Sequence, residues 1–259
     1  NPVTVKVDAI HDGQQIEQLF FFVERGKRVA AVARILGHYR SESTLIFCNT
    51  KKECQEVADA LTERGVSALA IHGDLEQSER DQVLARFANK SVSVLVATDV
   101  AARGIDIKEL TAVINYELTR DPEVHIHRIG RTGRAGEQGL ALSLVTAAES
   151  RRAAAIEDYL GVSVPRAELE SLTMPSSTSL EAPMVTFSID GGRKNKLRPG
   201  DVLGALTGEA GIPGNEVGKI NVFNFHTYVA IRRGSARAAL ACLSANKIKG
   251  RFYKIRKFS

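Results

Sequence analysis

The stretch VSVLVATDVAARGIDI, residues 92–107, decides the fold. Its first five residues are four apolar side chains around one serine, the content of a strand covered on both faces; a strand with one wet face would alternate. The remainder turns polar and then reaches glycine. In an open parallel sheet the loop leaving the carboxyl end of a strand is where ligands bind, so Thr98, Asp99, Arg103, Gly104 and Asp106 are placed for polar contacts. Similar apolar runs stand at residues 19–23, 44–48, 67–71, 111–115 and 140–145. Between them, residues 27–38, 51–64, 77–89 and 147–160 are rich in Ala, Leu, Glu, Arg and Gln with helical period. Strands alternating with helices predict an α/β domain, an open parallel sheet with helices on both faces.

That pattern fades near residue 160. Pro165, Pro175 and Pro183 bracket the Ser/Thr-rich PSSTSLEAP, a linker signature over 161–183. Beyond it the order is strand 185–189, helix 200–207, strands 219–223 and 226–232, helix 235–245 and strand 251–258. This β-α-β-β-α-β order is the split βαβ of a small α+β, ferredoxin-like domain. A chain of 259 residues is long for one domain and comfortable for two, hence 1–160, a linker at 161–183, and 184–259.

Charge separates the same two parts. Residues 184–259 carry 14 Lys+Arg against 4 Asp+Glu, or +10, while the preceding part is −5. A basic surface kept only for solubility would mix both signs, so the tail is the polyanion-facing part. With 44% hydrophobic and 25% charged residues the composition is that of a globular chain, not a disordered one. Cys48, Cys54 and Cys242 have no metal-ligand spacing with the histidines and read as reduced core thiols. The opening NPVTVKV has no basic-then-apolar leader, and no apolar run reaches bilayer length; both suit a piece of a longer cytoplasmic protein, away from membranes.

HRIGRTGR, residues 127–134, is the strongest motif. On a helix, Arg128, Arg131 and Arg134 would project from nearly one face. Three adjacent cations repel unless an anion is brought to them, and the planar, bidentate guanidinium suits phosphate. Gly130 and Gly133 each cost about 1 kcal/mol of helix stability relative to Ala, which buys close backbone approach. HGD at 72–74 also follows a strand, and Gln77 and Arg80 share a helix face.

Taken together, IFCNT, QSER, ATDVAARGID and HRIGRTGR resemble motifs IV, QxxR, V and VI of the DEAD-box RNA helicases, in family order. The resemblance implies a RecA-like fold for residues 1–160. It implies Arg134 as the arginine finger on the γ-phosphate of ATP, with Arg131 beside it as a second catalytic residue. Gly104 and Asp106 would join them at the nucleotide, Asp106 holding the ribose. His127 and Arg128 would couple nucleotide to the partner domain, and Thr50, Gly73, Arg80 and Thr98 would touch the RNA backbone. Neither GxxxxGK[ST] nor a DEAD run occurs, so the phosphate loop and the Mg²⁺ ligands are expected on an absent N-terminal RecA domain, and the piece alone should be inactive. The implied mechanism is a clamp that closes on ATP and RNA and reopens after hydrolysis.

The tail resembles an RNA recognition motif, YVAI at 228–231 matching the end of its RNP1 pattern. It departs from that family at FNFHT, where the basic-Gly-aromatic start is missing, and at Thr186 and Ser188, which stand where a stacking aromatic would face RNA. Tyr228 either stacks on RNA or caps the sheet. The firmer RNA contacts are cationic: Arg193, Lys194, Lys196, Arg198, Lys219, Lys247, Lys249, Arg251, Lys254 and Arg256. The combination of both parts resembles the DbpA/YxiN group of bacterial helicases. That likeness implies a 23S ribosomal RNA hairpin and pre-50S ribosomal particles as partners. Two other functions would leave different traces. A passive RNA-binding protein would tolerate loss of Arg131 and Arg134, and a DNA helicase or repair ATPase of the same superfamily would lack the RRM-like tail.

Overall fold

Short runs of Val, Ile, Leu and Ala cannot satisfy their backbone polar groups alone, and here they do so by pairing side by side. The structure, a computed structural model, describes residues 4–6, 15–103, 110–133, 138–173, 180–209 and 211–258. These fall into two compact units, one drawn from Asn1–Arg80 and Ser93–Glu181, the other from Asp81–Val92 and Ala182–Ser259.

In the first unit, β1 (Thr4–Lys6), β2 (Gln15–Phe22), β3 (Thr44–Phe47), β4 (Ala68–Ile71), β5 (Val94–Ala97), β6 (Ala112–Asn115), β7 (Gln138–Val145) and β8 (Arg166–Ala167) form one sheet of order β1-β2-β7-β6-β3-β5-β4, with β8 also beside β2. Every pairing is parallel except β1 with β2. The inner strands β3, β5 and β6 are buried at all four positions, as their unbroken apolar content requires. Helices α1 (Arg28–Tyr39), α2 (Lys51–Thr62), α3 (Gln77–Ala88), α4 (Asp99–Ala102), α5 (Pro122–Ile129) and α6 (Ser150–Leu160) run between and after these strands. The spacing of Cys54, Val57, Ala58 and Leu61 on α2 shows why a helix forms there. It makes one stripe, fully inside a core shared with Ile46, Val94 and Val96. Removing the Leu61 side chain to Ala would cost about 2–5 kcal/mol. Within 161–183, Leu172 and Leu180 are buried in that core as well.

In the second unit, β9 (Met184–Ile189), β10 (Val217–Val222), β11 (Thr227–Arg232) and β12 (Ile255–Lys257) form an antiparallel sheet of order β10-β11-β9-β12. Helices α7 (Pro199–Gly204) and α8 (Ala236–Ala245) complete the expected β-α-β-β-α-β order. Alternation sorts the residues: Val185, Phe187, Ile189, Val229 and Ile231 join Val202, Leu206, Ala239 and Leu243 in one core. The opposite face carries Thr186, Ser188, Tyr228 and Ala230, also buried. Asp81–Val92, which belongs to this unit, contributes there: the Ser91 and Thr186 hydroxyls are hydrogen-bonded, and the Arg86 guanidinium lies 5.2 Å from the Phe258 ring. All three cysteines are free and buried.

Candidate functional site

Phe47, Ala97, Ile71 and Asn115 end four neighbouring strands in register, so the segments after them share one edge of the first sheet. After β3, Thr50 caps α2, its hydroxyl accepting from Glu53 N at 3.2 Å. After β5, Thr98 caps α4 in the same manner, accepting from Ala101 N at 3.3 Å. After β4 comes HGD, where Lys51 donates to Asp74 at 2.5 Å and the hydrogen bond holds that carboxyl below its usual range. Arg80 reaches back from the first turn of α3, donating to His72 O at 3.3 Å and Ala101 O at 3.5 Å. The predicted RNA contacts Thr50, Gly73, Arg80 and Thr98 are thereby gathered along the β3-β5-β4 edge. Gly73 is exposed and packs against the Lys51 stem, whereas Thr98 is buried and has its hydroxyl committed to the cap.

Beside β6 the arginine motif takes a form that spacing alone does not reveal. Asp121 caps α5, accepting from Glu123 N at 2.9 Å, and Pro122 sits at its first position, where proline is tolerated. The helix stops at Ile129, and Gly133 follows with φ +70°. Thr132 is pinned to the sheet by its hydroxyl on Leu110 O at 2.6 Å, while a Cβ on Gly139 would lie 2.4 Å from Gly133 N. Arg128 lies on this helix and Arg131 beyond its end, so the two do not share one helix face. Gly104, Asp106 and Arg134 lie outside the described residues.

Arg128 is the most committed side chain in the site. It is 1% exposed. Its Nε and Nη2 donate to both Asp99 oxygens at 2.7 and 2.8 Å, Nη1 donates to Glu117 O at 2.9 Å, and Nη2 donates to Asn49 Oδ1 at 3.1 Å. Its guanidinium also lies 5.1 Å from the Phe47 ring. One guanidinium thus ties together the segments after β3, β5 and β6. Its neighbour His125 is fully buried; burial and then the Arg128 charge push its pKa down to about 3, so the ring is neutral. His127 points outward, 3.7 Å from Glu123.

Phe47, Asp99, Ala102, Arg103, Val124, His127, Arg128 and Arg131 line a cleft of about 290 Å³. Among the described residues lining it are three arginines and one aspartate. Arg128 pairs with Asp99, and guanidinium groups such as those of Arg103 and Arg131 suit a polyphosphate. Among the described residues no cluster of three His, Cys, Asp or Glu side chains is arranged to hold a metal ion.

Sequence reasoning missed the support beneath this edge. Arg28 donates to Glu117 at 3.0 Å and pairs with Glu149, which also accepts from Thr146 N at 3.0 Å and from Leu118 N at 3.2 Å. Burial, then the Glu117 charge, raises Glu53 to about 7. These residues are far apart in sequence and no local motif joins them.

In the tail all ten predicted cations are exposed, whereas Tyr228 is 5% exposed and packed among Phe223, His226 and Phe258. Of the two roles left open for Tyr228, the geometry favours capping the sheet. A second cleft, of about 520 Å³, is lined by Arg193, Arg198, Pro199 and the edge of β10 from Ile220 to Phe223. Lys249 is tied down, donating to Lys196 O at 2.6 Å and pairing with Asp201 at 3.1 Å.

Two stretches of the chain match known protein families. Residues 27–136 match the helicase conserved C-terminal domain, and residues 186–257 match the DbpA RNA binding domain. The chain is 50% identical to the ATP-dependent RNA helicase DbpA of Escherichia coli over 99% of its own length and 56% of that protein. It therefore spans little more than half of that curated relative. Among solved structures, the E. coli DEAD-box protein SrmB is 30% identical with a TM-score of 0.57, covering 62% of this chain and 94% of that one. Saccharomyces cerevisiae Dbp5 bound to RNA and ADP BeF3 is 34% identical with a TM-score of 0.57, covering 60% of this chain and 42% of that one.

Proposed function

Because the chain belongs to the DEAD-box RNA helicases, as their C-terminal helicase domain followed by a DbpA-type RNA-binding domain, we propose that it is one half of an ATP-driven RNA-remodelling motor with its own targeting tail. The observation that supports this most is the single sheet edge on which Thr50, Gly73, Arg80 and Thr98 lie beside the arginine-lined cleft of Arg103, Arg128 and Arg131. Backbone phosphates of RNA would lie along β3-β5-β4, and the triphosphate of ATP would meet the cleft next to β6. Contacts of that kind are sequence-independent, so specificity falls to the tail.

ATP is the substrate, and the residues that would cradle it and hold Mg²⁺ belong to the N-terminal RecA domain outside this chain. Bound Mg²⁺ would offset the negative charge of the phosphates. This chain would supply Arg131 and Arg134, and Arg128 would act by holding Asp99, Asn49 and the Glu117 carbonyl in fixed relation. The proposed target is a hairpin of 23S ribosomal RNA in pre-50S particles in the cytoplasm, supported by the match of residues 186–257 to the DbpA RNA binding domain. The test is ATP hydrolysis with and without RNA. The full-length protein is expected to turn over ATP only when RNA is added, and the isolated chain to show none; RNA-independent turnover would contradict the proposal.

A further inference from the structure

Three loops meet at one end of the tail sheet. Ile189, the last residue of β9, pairs with Thr227 and Ile255, the first residues of β11 and β12, and Val222, the last of β10, also pairs with Thr227. Residues 190–198, 223–226 and 246–254 therefore lie side by side. Hydrogen bonds lock them together: Arg193 N to Phe223 O at 2.8 Å, Lys194 N to Asn224 O at 2.9 Å, Asp190 N to Lys254 O at 3.0 Å, and Lys249 Nζ to Lys196 O at 2.6 Å.

Two phenylalanines protrude from this platform. Phe225 is 67% exposed and Phe252 is 64% exposed, while the sheet's own Tyr228 is closed off. Gly191 shows how the orientation at 252 arises. A Cβ there would lie 2.2 Å from the Tyr253 ring, so Tyr253 packs inward on the bare glycine backbone, leaving Phe252 outside. The turn at 248–251 uses two left-handed residues, Lys249 at φ +53° and Gly250 at φ +77°, and folds Lys247 back until its Nζ is 5.5 Å from the Phe252 ring. Arg193, Lys194 and Arg251 are exposed on the same loops.

A single exposed apolar side chain is ordinary. Two aromatic faces on one rigid loop cluster, surrounded by cations in the part of the chain with charge +10, match the requirements of an unpaired nucleotide, a flat base beside a phosphate. We propose that Phe225 and Phe252 are stacking ledges for unpaired RNA bases, and that the loop end of the tail, not its sheet face, reads the single-stranded part of a hairpin. This rests on the assignment of the tail as an RNA-binding domain.

The test uses the whole chain with two RNAs of equal phosphate number, a stem with an unpaired loop and a blunt duplex. Phe252→Ala and Phe225→Ala are expected to weaken binding of the looped RNA by about 5- to 150-fold each. They should leave duplex binding and the salt dependence of binding unchanged, because no cation is removed. Phe252→Trp should keep the affinity, and its fluorescence should be quenched by the looped RNA alone. Arg193→Ala should instead weaken both RNAs and flatten the salt dependence. If the unaltered chain binds neither RNA, the RNA-binding assignment itself falls. If it binds both and the phenylalanine variants match it, the assignment stands and the stacking ledges are overturned.

Discussion

Replacing Arg134 by alanine in the full-length protein is expected to lower RNA-stimulated ATP turnover by about 10³–10⁵-fold, the range that an arginine finger contributes. The chemistry sets the size of the effect. Phosphoryl transfer leaves negative charge spread over the γ-phosphate oxygens, and a guanidinium from a separate element meets that charge without having to move as the bond breaks. RNA binding by the tail should remain, because residues 184–259 carry their own excess of 14 basic over 4 acidic side chains. Measuring kcat and RNA affinity on the same preparation separates the two: turnover should fall and affinity hold. Unchanged turnover would remove Arg134 from the reaction.

Arg128 should fail differently. Alanine there leaves Asp99 and Asn49 without the guanidinium that links them, at a position 1% exposed. The Asp99 carboxylate left behind is 30% exposed, so the loss is that of a hydrogen bond to a charged group, about 1.5–3 kcal/mol. For a chain of this size that corresponds to a melting temperature lower by roughly 3–12 °C. Lysine should rescue little, since one ammonium cannot reproduce the fork that holds both Asp99 oxygens and Asn49 at once. The measurement is thermal unfolding of the chain without nucleotide or RNA. A melting temperature unchanged within 2 °C, roughly the shift for under 1 kcal/mol, would show that Arg128 does not hold the edge together.

Arg128 also marks where sequence stops being informative. The strands of the first sheet were legible because they are buried on both faces, so Val94–Ala97 and its neighbours carry no alternation that could mislead. The tail's order was legible from the spacing of its strands and helices, and period two places Thr227, Val229 and Ile231 on one face of β11 even though the other face is buried as well. The arginine motif was legible as residue types but not as geometry. Three-residue spacing implies one helix face only while the helix lasts, and this helix ends at Ile129. The partners that bury Arg128 come from residues 49, 99 and 117, which only the sheet order brings together. Tyr228 is similar: alternation assigns it to the outer face, but Phe258, one of the rings packed against it there, is remote in sequence. Phe225 and Phe252 carried no signal at all, because an exposed ring in a loop differs from a buried one only in what surrounds it.

In the proposed motor this sheet edge is half of a cleft that ATP and RNA close from both sides. Energy transfer between one dye on the N-terminal half of the full-length protein and another at an exposed position here, such as Glu56→Cys, tests it directly, the native cysteines being buried and shielded from labelling. Transfer is expected to rise only when RNA and a non-hydrolysable ATP analogue are both present, and to stay low with either alone or with Arg131 and Arg134 replaced by alanine. A rise that the double replacement leaves intact, or none with both ligands, would contradict a shared cleft.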